Sequence, residues 1–432
     1  MARASEKVGF GNREAVRGGS FVEQNKSRRI QLPEWSRMRE SDFSIAIACG
    51  GTGGHLFPGL SVAEKLLKRD CTVTLLISPK EVDQEAVKSA AGMEVVTLPA
   101  IGLQRGGELA FLRGFRKSYG AARRLFKTTP PDAVLAMGGF TSAPPVLAGK
   151  RLGAQTFLHE SNTIPGRANR WLSWVVNQAF VGFQSAAGRL NNRKITITGT
   201  PVRASFKPRD TAACRAELGF DPENPLVVVM GGSQGASGIN ELIIKSLPTL
   251  AKLAPNLQWF HLAGPKDSEK VKRTYEFLKV KAVVHSFYSG MELALGAASA
   301  AISRAGASSL AELAAMRVPA LLVPYPAATD DHQLHNAMAL AESGAARILE
   351  QEGATGEAMA ENIIEIVNCA KTRDKMQSAL VRWQSPRAAE EIAGAMLESV
   401  SVRRNAKRVA RSARLKKLNK LKEQEETIVG HA

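Results

Sequence analysis

The sequence has little cysteine and no long apolar run, and both absences narrow the class of protein. Its four cysteines lie far apart without CxxC spacing, at Cys49, Cys71, Cys214 and Cys369. This spacing argues against a zinc cage or a disulfide framework and predicts free thiols in a reducing compartment. No stretch approaches the roughly 18 apolar residues of a membrane-spanning helix, so any membrane contact is expected to be peripheral. Residues 1–42 lack the apolar core of a secretory signal and are predicted to be a disordered basic extension.

Acidic residues are missing near the other end of the chain. Between Arg403 and Lys422 there are ten Lys and Arg residues and no acid, while the whole chain has a formal net charge of +18. We call residues 401–432 the basic tail. Such a run can bind nucleic acid or anionic lipid, but it is most often a solvated, mobile end, and that is the prediction here.

The rest of the chain predicts an α/β protein with two Rossmann-like, doubly wound parallel sheets facing a cleft. Strand-like apolar runs alternate with helical patterns, and the pattern restarts after a polar stretch. Strands are predicted at 43–49, 72–77, 133–136, 155–158, 179–181 and 194–198, and then at 226–230, 258–263, 283–287, 300–303 and 320–324. The predicted organisation is a first half over 43–200, a linker over 201–224, a second half over 225–376 and a C-terminal helix over 377–400 that packs on the first half.

Each half carries a glycine-rich loop directly after its first strand. The loops are Gly50-Gly51-Thr52-Gly53-Gly54-His55 and Gly231-Gly232-Ser233-Gln234-Gly235-Ala236-Ser237-Gly238. In open α/β sheets such loops let backbone amides and helix N-termini face a phosphate. Neither loop spells GxGxxG, and the second strand runs into Ser78-Pro79 without an acid to hold a ribose diol, which disfavours a dinucleotide. A P-loop is excluded because the GK[ST] sequence is missing.

Several motifs in one order resemble the MurG glycosyltransferases over residues 43–400. Besides both loops, they are Gly138-Gly139-Phe140, His159-Glu160-Ser161-Asn162, Gly199-Thr200-Pro201-Val202-Arg203, the run from Arg304 to Glu312, and Asp331-His332-Gln333. The resemblance implies a fold of the GT-B type. It also implies an inverting transfer of N-acetylglucosamine from UDP-N-acetylglucosamine to lipid I, the undecaprenyl-linked muramyl-pentapeptide, which gives lipid II for peptidoglycan synthesis.

The same resemblance implies a donor site in the second half. Its expected nucleotide and sugar contacts are Arg203, Ser233, Gln234, Tyr288, Ala307, Ser308, Ser309, Leu310, Ala311, Glu312 and Gln333. Glu312 is expected to accept the hydrogens of ribose hydroxyls, and the Gln333 amide to offer a donor and an acceptor to the sugar hydroxyls. Ser308 and Ser309 are equally explained as plain helix N-caps. Amides and Arg203 would stabilise the leaving diphosphate, so no metal and no cofactor are implied.

The first half is expected to close the cleft with Thr52, Gly53, Gly54 and Asn162. His55 is the preferred general base, because a histidine of near-neutral pKa can take the proton of the attacking muramyl hydroxyl. Glu160, beside His159, is the rival base. The sequence leaves this choice open, and a purely structural role for either residue remains an alternative.

The segment Ile101–Phe126 mixes apolar side chains such as Leu109, Leu112 and Phe115 with six Arg and Lys residues. This pattern fits a helix lying on an anionic membrane, and equally a helix whose apolar face is buried in the core. The lipid-linked acceptor implied by the resemblance favours the membrane, which places the protein peripherally on the cytoplasmic face.

Two other functional classes stay open. One is a different UDP-sugar enzyme, either an epimerase or a glycolipid glycosyltransferase, which would share the donor chemistry and differ in its acceptor. The other is a nucleic-acid-binding protein that uses the basic tail, and it would leave both glycine loops unexplained. No nucleic-acid partner is expected.

Overall fold

The computed structural model describes residues 43–80, 83–84, 87, 90–99, 108–232 and 235–429. It contains two all-parallel sheets, one of seven and one of six strands, which confirms the predicted fold of two Rossmann-like halves. The predicted extension over residues 1–42 lies outside the described residues. Among the described residues, no helix is both long enough and apolar enough to cross a membrane.

The first sheet has the strand order β3-β2-β1-β4-β5-β6-β7. Its inner strands are apolar on both faces because helices cover both sides, as in other parallel sheets. The strands are β1 (Ser44–Ala48), β2 (Thr72–Ile77), β3 (Glu94–Thr97), β4 (Ala133–Ala136), β5 (Gln155–Glu160), β6 (Gln178–Val181) and β7 (Ile195–Ile197). The helices are α1 (Gly53–Leu67), α2 (Glu108–Thr128), α3 (Ala143–Leu152), α4 (Arg167–Leu172) and α5 (Gln184–Ala187).

The second sheet has the order β10-β9-β8-β11-β12-β13. Its strands are β8 (Leu226–Met230), β9 (Gln258–Leu262), β10 (Ala282–His285), β11 (Ala300–Ser303), β12 (Ala320–Leu322) and β13 (Ala346–Ile348). Helix α6 (Thr211–Glu217) precedes this sheet within the predicted linker, and its N-cap Asp210 accepts a hydrogen bond from Ala213 N. The other helices are α7 (Ser237–Leu253), α8 (Ser268–Phe277), α9 (Met291–Ala297), α10 (Ala307–Met316), α11 (His332–Glu342) and α12 (Gly356–Asn368).

Two strands that the sequence did not predict lie at sheet edges. β3 reads Glu-Val-Val-Thr and is mostly exposed, and β13 has only three residues. Edge strands bury little apolar surface, so their pattern is short and weak. The predicted central strands are present with ends shifted by no more than two residues.

The C-terminal part differs from the prediction in its helix bounds. Instead of one helix over 377–400, α13 (Ala370–Val381) ends before a break, and α14 (Ala388–Val429) then packs Ile392 and Met396 into the core of the first half. α14 continues through the basic tail as far as Val429, and the mobility of this end stays a prediction. Between residues 401 and 429 the tail contains strong helix formers with no Gly or Pro, which explains the continuation.

Candidate active site

A cleft of about 1480 Å³ lies at the carboxyl ends of the two sheets, and both halves line it. The structure brings most of the predicted site residues to its wall. From the first half these are Thr52, Gly53, Gly54, His55 and Asn162. From the linker and the second half they are Arg203, Tyr288, Ala307, Ser308, Ser309, Glu312 and Gln333.

Three predicted residues do not reach the wall. Leu310 is 2% exposed and its side chain packs in the core of the second half, and Ala311 lies on the same helix away from the cleft lining. Glu160 is buried beneath the cleft. Ser233 and Gln234 lie outside the described residues, although Gly232 of their loop does line the cleft.

The first glycine loop is fixed by close backbone packing and by a buried carboxylate. A Cβ at Gly50 would lie 2.3 Å from Ser78 N, so only glycine fits there. Gly51 has a φ of 115°, in the region that favours glycine. The buried Asp83 accepts hydrogen bonds from Gly51 N (2.7 Å), Ser78 N (3.2 Å) and the Ser78 hydroxyl. These hydrogen bonds to Asp83 fix the loop and, with it, the direction in which α1 begins.

His55 lies in the first turn of α1 with its ring against Gly138 and Gly139. A Cβ at Gly138 would lie 2.9 Å from both Cδ2 and Nε2 of the ring, which explains the glycine pair in that motif. Nδ1 of His55 is 3.1 Å from the hydroxyl of Thr52. His55 also lines the cleft, and these contacts hold its ring in place.

The environment of His55 favours its neutral form. Burial lowers its pKa to about 4, His332 and Lys80 lower it further through their charge, and Asp83 opposes them. The imidazole is consequently uncharged at neutral pH and keeps a lone pair for a proton. Its pKa lies below the near-neutral value expected from the sequence because the loop buries the ring.

Glu160 and His159 are used inside the first half. The Glu160 carboxylate accepts hydrogen bonds from Asn162 N, Asn162 Nδ2, Gly166 N and Asn169 Nδ2, at 2.9 to 3.0 Å. His159 is fully buried, its Nε2 donates to Gly199 O at 3.0 Å, and burial lowers its pKa to about 4. Both side chains hold the loop after β5, and neither lines the cleft.

Helix α10 begins at the cleft and supplies its N-terminal amides to it. Ala307, Ser308 and Ser309 form its first turn, and its N-cap is Gly306, without a side-chain cap. Ser308 is therefore not the plain N-cap considered above. Its hydroxyl instead donates to Gly54 O of the first half at 3.0 Å. A helix N-terminus of this kind favours bound phosphate.

Arg203 and Glu312 form the charged part of the cleft. The Arg203 guanidinium lies 4.9 Å from the ring centroids of both Phe57 and Phe206, and 4.0 Å from the Glu292 carboxylate. Its buried Nε has no hydrogen-bond partner among the described residues. Burial raises the pKa of Glu312 to about 7 and Glu292 adds to this, while Arg203 opposes both. The site thus holds a fixed cation beside a carboxyl that titrates near neutral pH.

Gln333 has half of its hydrogen-bonding capacity engaged by the protein. Its Oε1 accepts from Ala305 N (3.2 Å) and Tyr325 N (3.0 Å). The side chain therefore offers a ligand the Nε2 donor, and not the donor and acceptor pair expected from the sequence. The two backbone donors also fix the orientation of the amide.

Tyr288 lies just after β10, where its ring packs against two other rings. Its ring stacks on His285 with centroids 5.3 Å apart and meets Phe260 edge-on at 5.0 Å. Burial raises its pKa. The packing fixes the backbone at Tyr288, where the cleft wall continues through Ser286 and Ser289.

Helix α2 gives the first-half side of the cleft an apolar surface. Phe111, Leu112 and Phe115 line the cleft, whereas Ala122 and Phe126 on the same helix are buried in the core. Leu109 is 83% exposed and Leu112 is 50% exposed. The core interpretation of this segment therefore holds for the later end of the helix, whereas the membrane interpretation of the exposed end stays a prediction; its residues before 108 lie outside the described residues.

Sequence reasoning missed two polar residues that organise the site. Asp83 clamps the first glycine loop, and Asn336 on α11 hydrogen-bonds across the cleft. Asp83 follows no recognisable motif. Asn336 stands three residues after Gln333, so helical spacing places both on one face, and this signal was available in the sequence.

Each half of the chain matches a known protein family. Residues 45–181 match the N-terminal domain of glycosyltransferase family 28, and residues 226–392 match its C-terminal domain. A relative from Anaeromyxobacter sp. (strain K) is 35% identical over 368 residues, which cover 82% of this chain and 93% of the relative. The chain belongs to the MurG family. That relative is named UDP-N-acetylglucosamine--N-acetylmuramyl-(pentapeptide) pyrophosphoryl-undecaprenol N-acetylglucosamine transferase.

Further relatives agree with this placement in the MurG family. A protein of the same name from Chlorobium luteolum is 35% identical and covers 82% of this chain and 98% of its own length. The crystal structure of Acinetobacter baumannii MurG superimposes with a TM-score of 0.65 at 27% identity, over 82% of this chain and 99% of that one. A UDP-GlcNAc 2-epimerase from Neisseria meningitidis has a TM-score of 0.60 at 14% identity, so that likeness shows only a shared fold.

Proposed function

We propose that this glycosyltransferase moves N-acetylglucosamine from UDP-N-acetylglucosamine to the muramyl 4-hydroxyl of lipid I and forms lipid II. The observation that carries the proposal is a cleft lined by both the neutral His55 and the N-terminal turn of α10, in a MurG chain aligned with its relatives over most of its length. The epimerase alternative is not favoured, because the epimerases share the fold at only 14% identity.

The reaction is a single displacement with inversion. The muramyl hydroxyl oxygen attacks the anomeric carbon, the bond from that carbon to the UDP oxygen breaks, and the hydroxyl proton passes to His55 Nε2. For Nε2 to be free, Nδ1 carries the hydrogen and donates to the Thr52 hydroxyl, which its 3.1 Å distance supports. UDP leaves with its new negative charge near Arg203 and the amides of α10.

His55 is proposed as the base in preference to Glu160. Four hydrogen bonds from nearby amides already occupy the Glu160 carboxylate, and the side chain is 3% exposed. A carboxylate held in this way is poorly placed to collect a proton from the cleft. His55→Ala should lower turnover by roughly two to four orders of magnitude, the usual loss for a general base, with little change in donor binding.

The test measures UDP release with lipid I, another glycolipid and water as acceptors. Lipid I should be used much faster than the other two, and the loss in His55→Ala should appear in turnover. Comparable release with the other glycolipid would contradict the acceptor assignment. A large loss confined to Glu160→Gln, with near-normal turnover in His55→Ala, would exchange the roles of the two residues.

The acceptor is lipid-linked, so we also propose a peripheral position on the cytoplasmic face of an anionic membrane. The exposed Leu109 and Leu112 sit at the cleft end of α2, next to the basic residues Arg113, Arg116 and Lys117. Exposed apolar side chains with adjacent cations suit a lipid interface. The basic tail is the competing segment, and nucleic acid is not an expected partner.

A further inference from the structure

One buried side-chain amide joins the two halves across the cleft. Asn336 on α11 is fully buried. Its Oδ1 accepts hydrogen bonds from Thr163 N and Thr163 Oγ1, both at 2.9 Å. Its Nδ2 donates to Asn162 Oδ1 at 3.0 Å and to Ala305 O at 3.1 Å. The amide thus uses its full capacity, and three of its four bonds reach the other half.

The partners on both sides are themselves fixed. In the first half, Asn162 donates its Nδ2 to Glu160, which leaves its Oδ1 facing Asn336. In the second half, the peptide of Ala305 is held from both sides, because its N–H donates to Gln333 and its C=O accepts from Asn336. A continuous set of hydrogen bonds therefore links Glu160 in the first half to Gln333 in the second.

The other polar contacts between the halves are more exposed. The Ser308 hydroxyl bonds Gly54 O at 3.0 Å, and Arg170 pairs with Asp330 at 2.6 Å. Both of these contacts are accessible to water, and exposed ion pairs contribute little. The buried amide is therefore the contact that most strongly favours the closed arrangement.

We infer that Asn336 is a positioning residue that holds the cleft closed. In that arrangement Asn162 and Gln333, from opposite halves, face the same donor sugar. The inference rests on the proposed function for the identity of that sugar. Removing the three hydrogen bonds that cross the cleft should shift the ratio of closed to open molecules by at least about tenfold, since each buried bond contributes a few-fold.

The experiment measures the separation of the halves directly. Spin labels at Arg193→Cys and Lys272→Cys, both exposed positions on opposite halves, are introduced in a Cys369→Ser background, and their distance distribution is recorded by double electron–electron resonance. The distribution should become longer or broader in Asn336→Ala. The change should be larger in Asn336→Asp, because its second oxygen would face the oxygens of Asn162 and Ala305.

Kinetics supply the second readout. Both Asn336 variants should lower kcat in proportion to the lost closed fraction, by about twofold or more, while the Kd for UDP stays nearly unchanged, because the nucleotide contacts lie within the second half. The matched control is Asn240→Ala. Asn240 is also buried, but it hydrogen-bonds only inside the second half, to Ala263 O, Asp267 and His261. It should leave the distance distribution unchanged.

Unchanged distances in both Asn336 variants, or an equal change in Asn240→Ala, would overturn the inference. If the Asn336 variants do not fold, Thr163→Val removes only the hydroxyl donor and should shift the distances less but in the same direction; no shift would overturn it. The distance and UDP measurements need no lipid acceptor. A wrong acceptor assignment would therefore show separately, as absent transfer by the unaltered protein.

Discussion

Binding of the nucleotide sugar should depend on pH through Glu312. Burial raises the pKa of this carboxyl from its usual 4.5 to about 7. Below that pH the group is neutral and above it the group is charged. In the proposed donor site the ionised form would accept hydrogen bonds from two ribose hydroxyls with both oxygens, whereas the neutral form has one oxygen occupied by its own proton. Affinity for UDP-N-acetylglucosamine should therefore rise as the pH rises through about 7.

The expected size follows from the titration. With a pKa of about 7, about one-tenth of the molecules are ionised at pH 6 and about nine-tenths at pH 8. If binding uses the ionised form, affinity increases about tenfold over this range, or about 1.4 kcal/mol. Both phosphates of the nucleotide sugar are diesters and keep their charge throughout. Ionisation of the ligand therefore does not contribute to the pH dependence of binding.

Titration calorimetry with UDP-N-acetylglucosamine between pH 6 and pH 8 measures this dependence. Glu312→Gln is the matched control, since it keeps the shape and removes the charge, and its profile should be flat. Protonation of a cleft histidine would give the opposite sign, because an added positive charge strengthens binding of a diphosphate at low pH. An affinity that is constant or falls with pH, or a rise that persists in Glu312→Gln, would refute the reasoning.

Three further outcomes are expected. Gln333→Ala should weaken UDP-N-acetylglucosamine binding by about 1 to 3 kcal/mol and relax rejection of the galactose epimer, measured by competition; equal use of both sugars by the unaltered enzyme would count against this role. Gly138→Ala should lower turnover without weakening donor binding, because its Cβ would lie 2.9 Å from the His55 ring, whereas Gly188→Ala, with open space around it, should change neither. Flotation assays should show salt-sensitive binding to anionic vesicles. Replacing Leu109 and Leu112 by Ser should reduce it if α2 docks, and deleting the basic tail should do so if the tail docks; binding that survives both changes would contradict both assignments.

The sequence by itself determined the architecture and most of the cleft wall. Alternating strand and helix patterns placed both sheets, because their central strands are buried on both faces and read as continuous apolar runs. The glycine loops followed directly after strands, where chain geometry alone puts them at the carboxyl edge of a sheet. Residues such as His55, Glu312 and Gln333 could be named because the motifs that contain them resemble those of the MurG family.

What each side chain does at the wall was decided only by the tertiary structure. The sequence favoured His55 over Glu160 without deciding between them, and in the structure Glu160 meets four amide donors while His55 lies against the bare backbone of Gly138. Asn336 accepts a hydrogen bond from Thr163, which is 173 positions away in sequence. Hydrogen bonding and burial depend on such distant neighbours, and they set the low pKa of His55 and the high pKa of Glu312. Local sequence patterns indicate on which face of its helix or strand a side chain lies. They do not indicate which residues of the other half that side chain contacts.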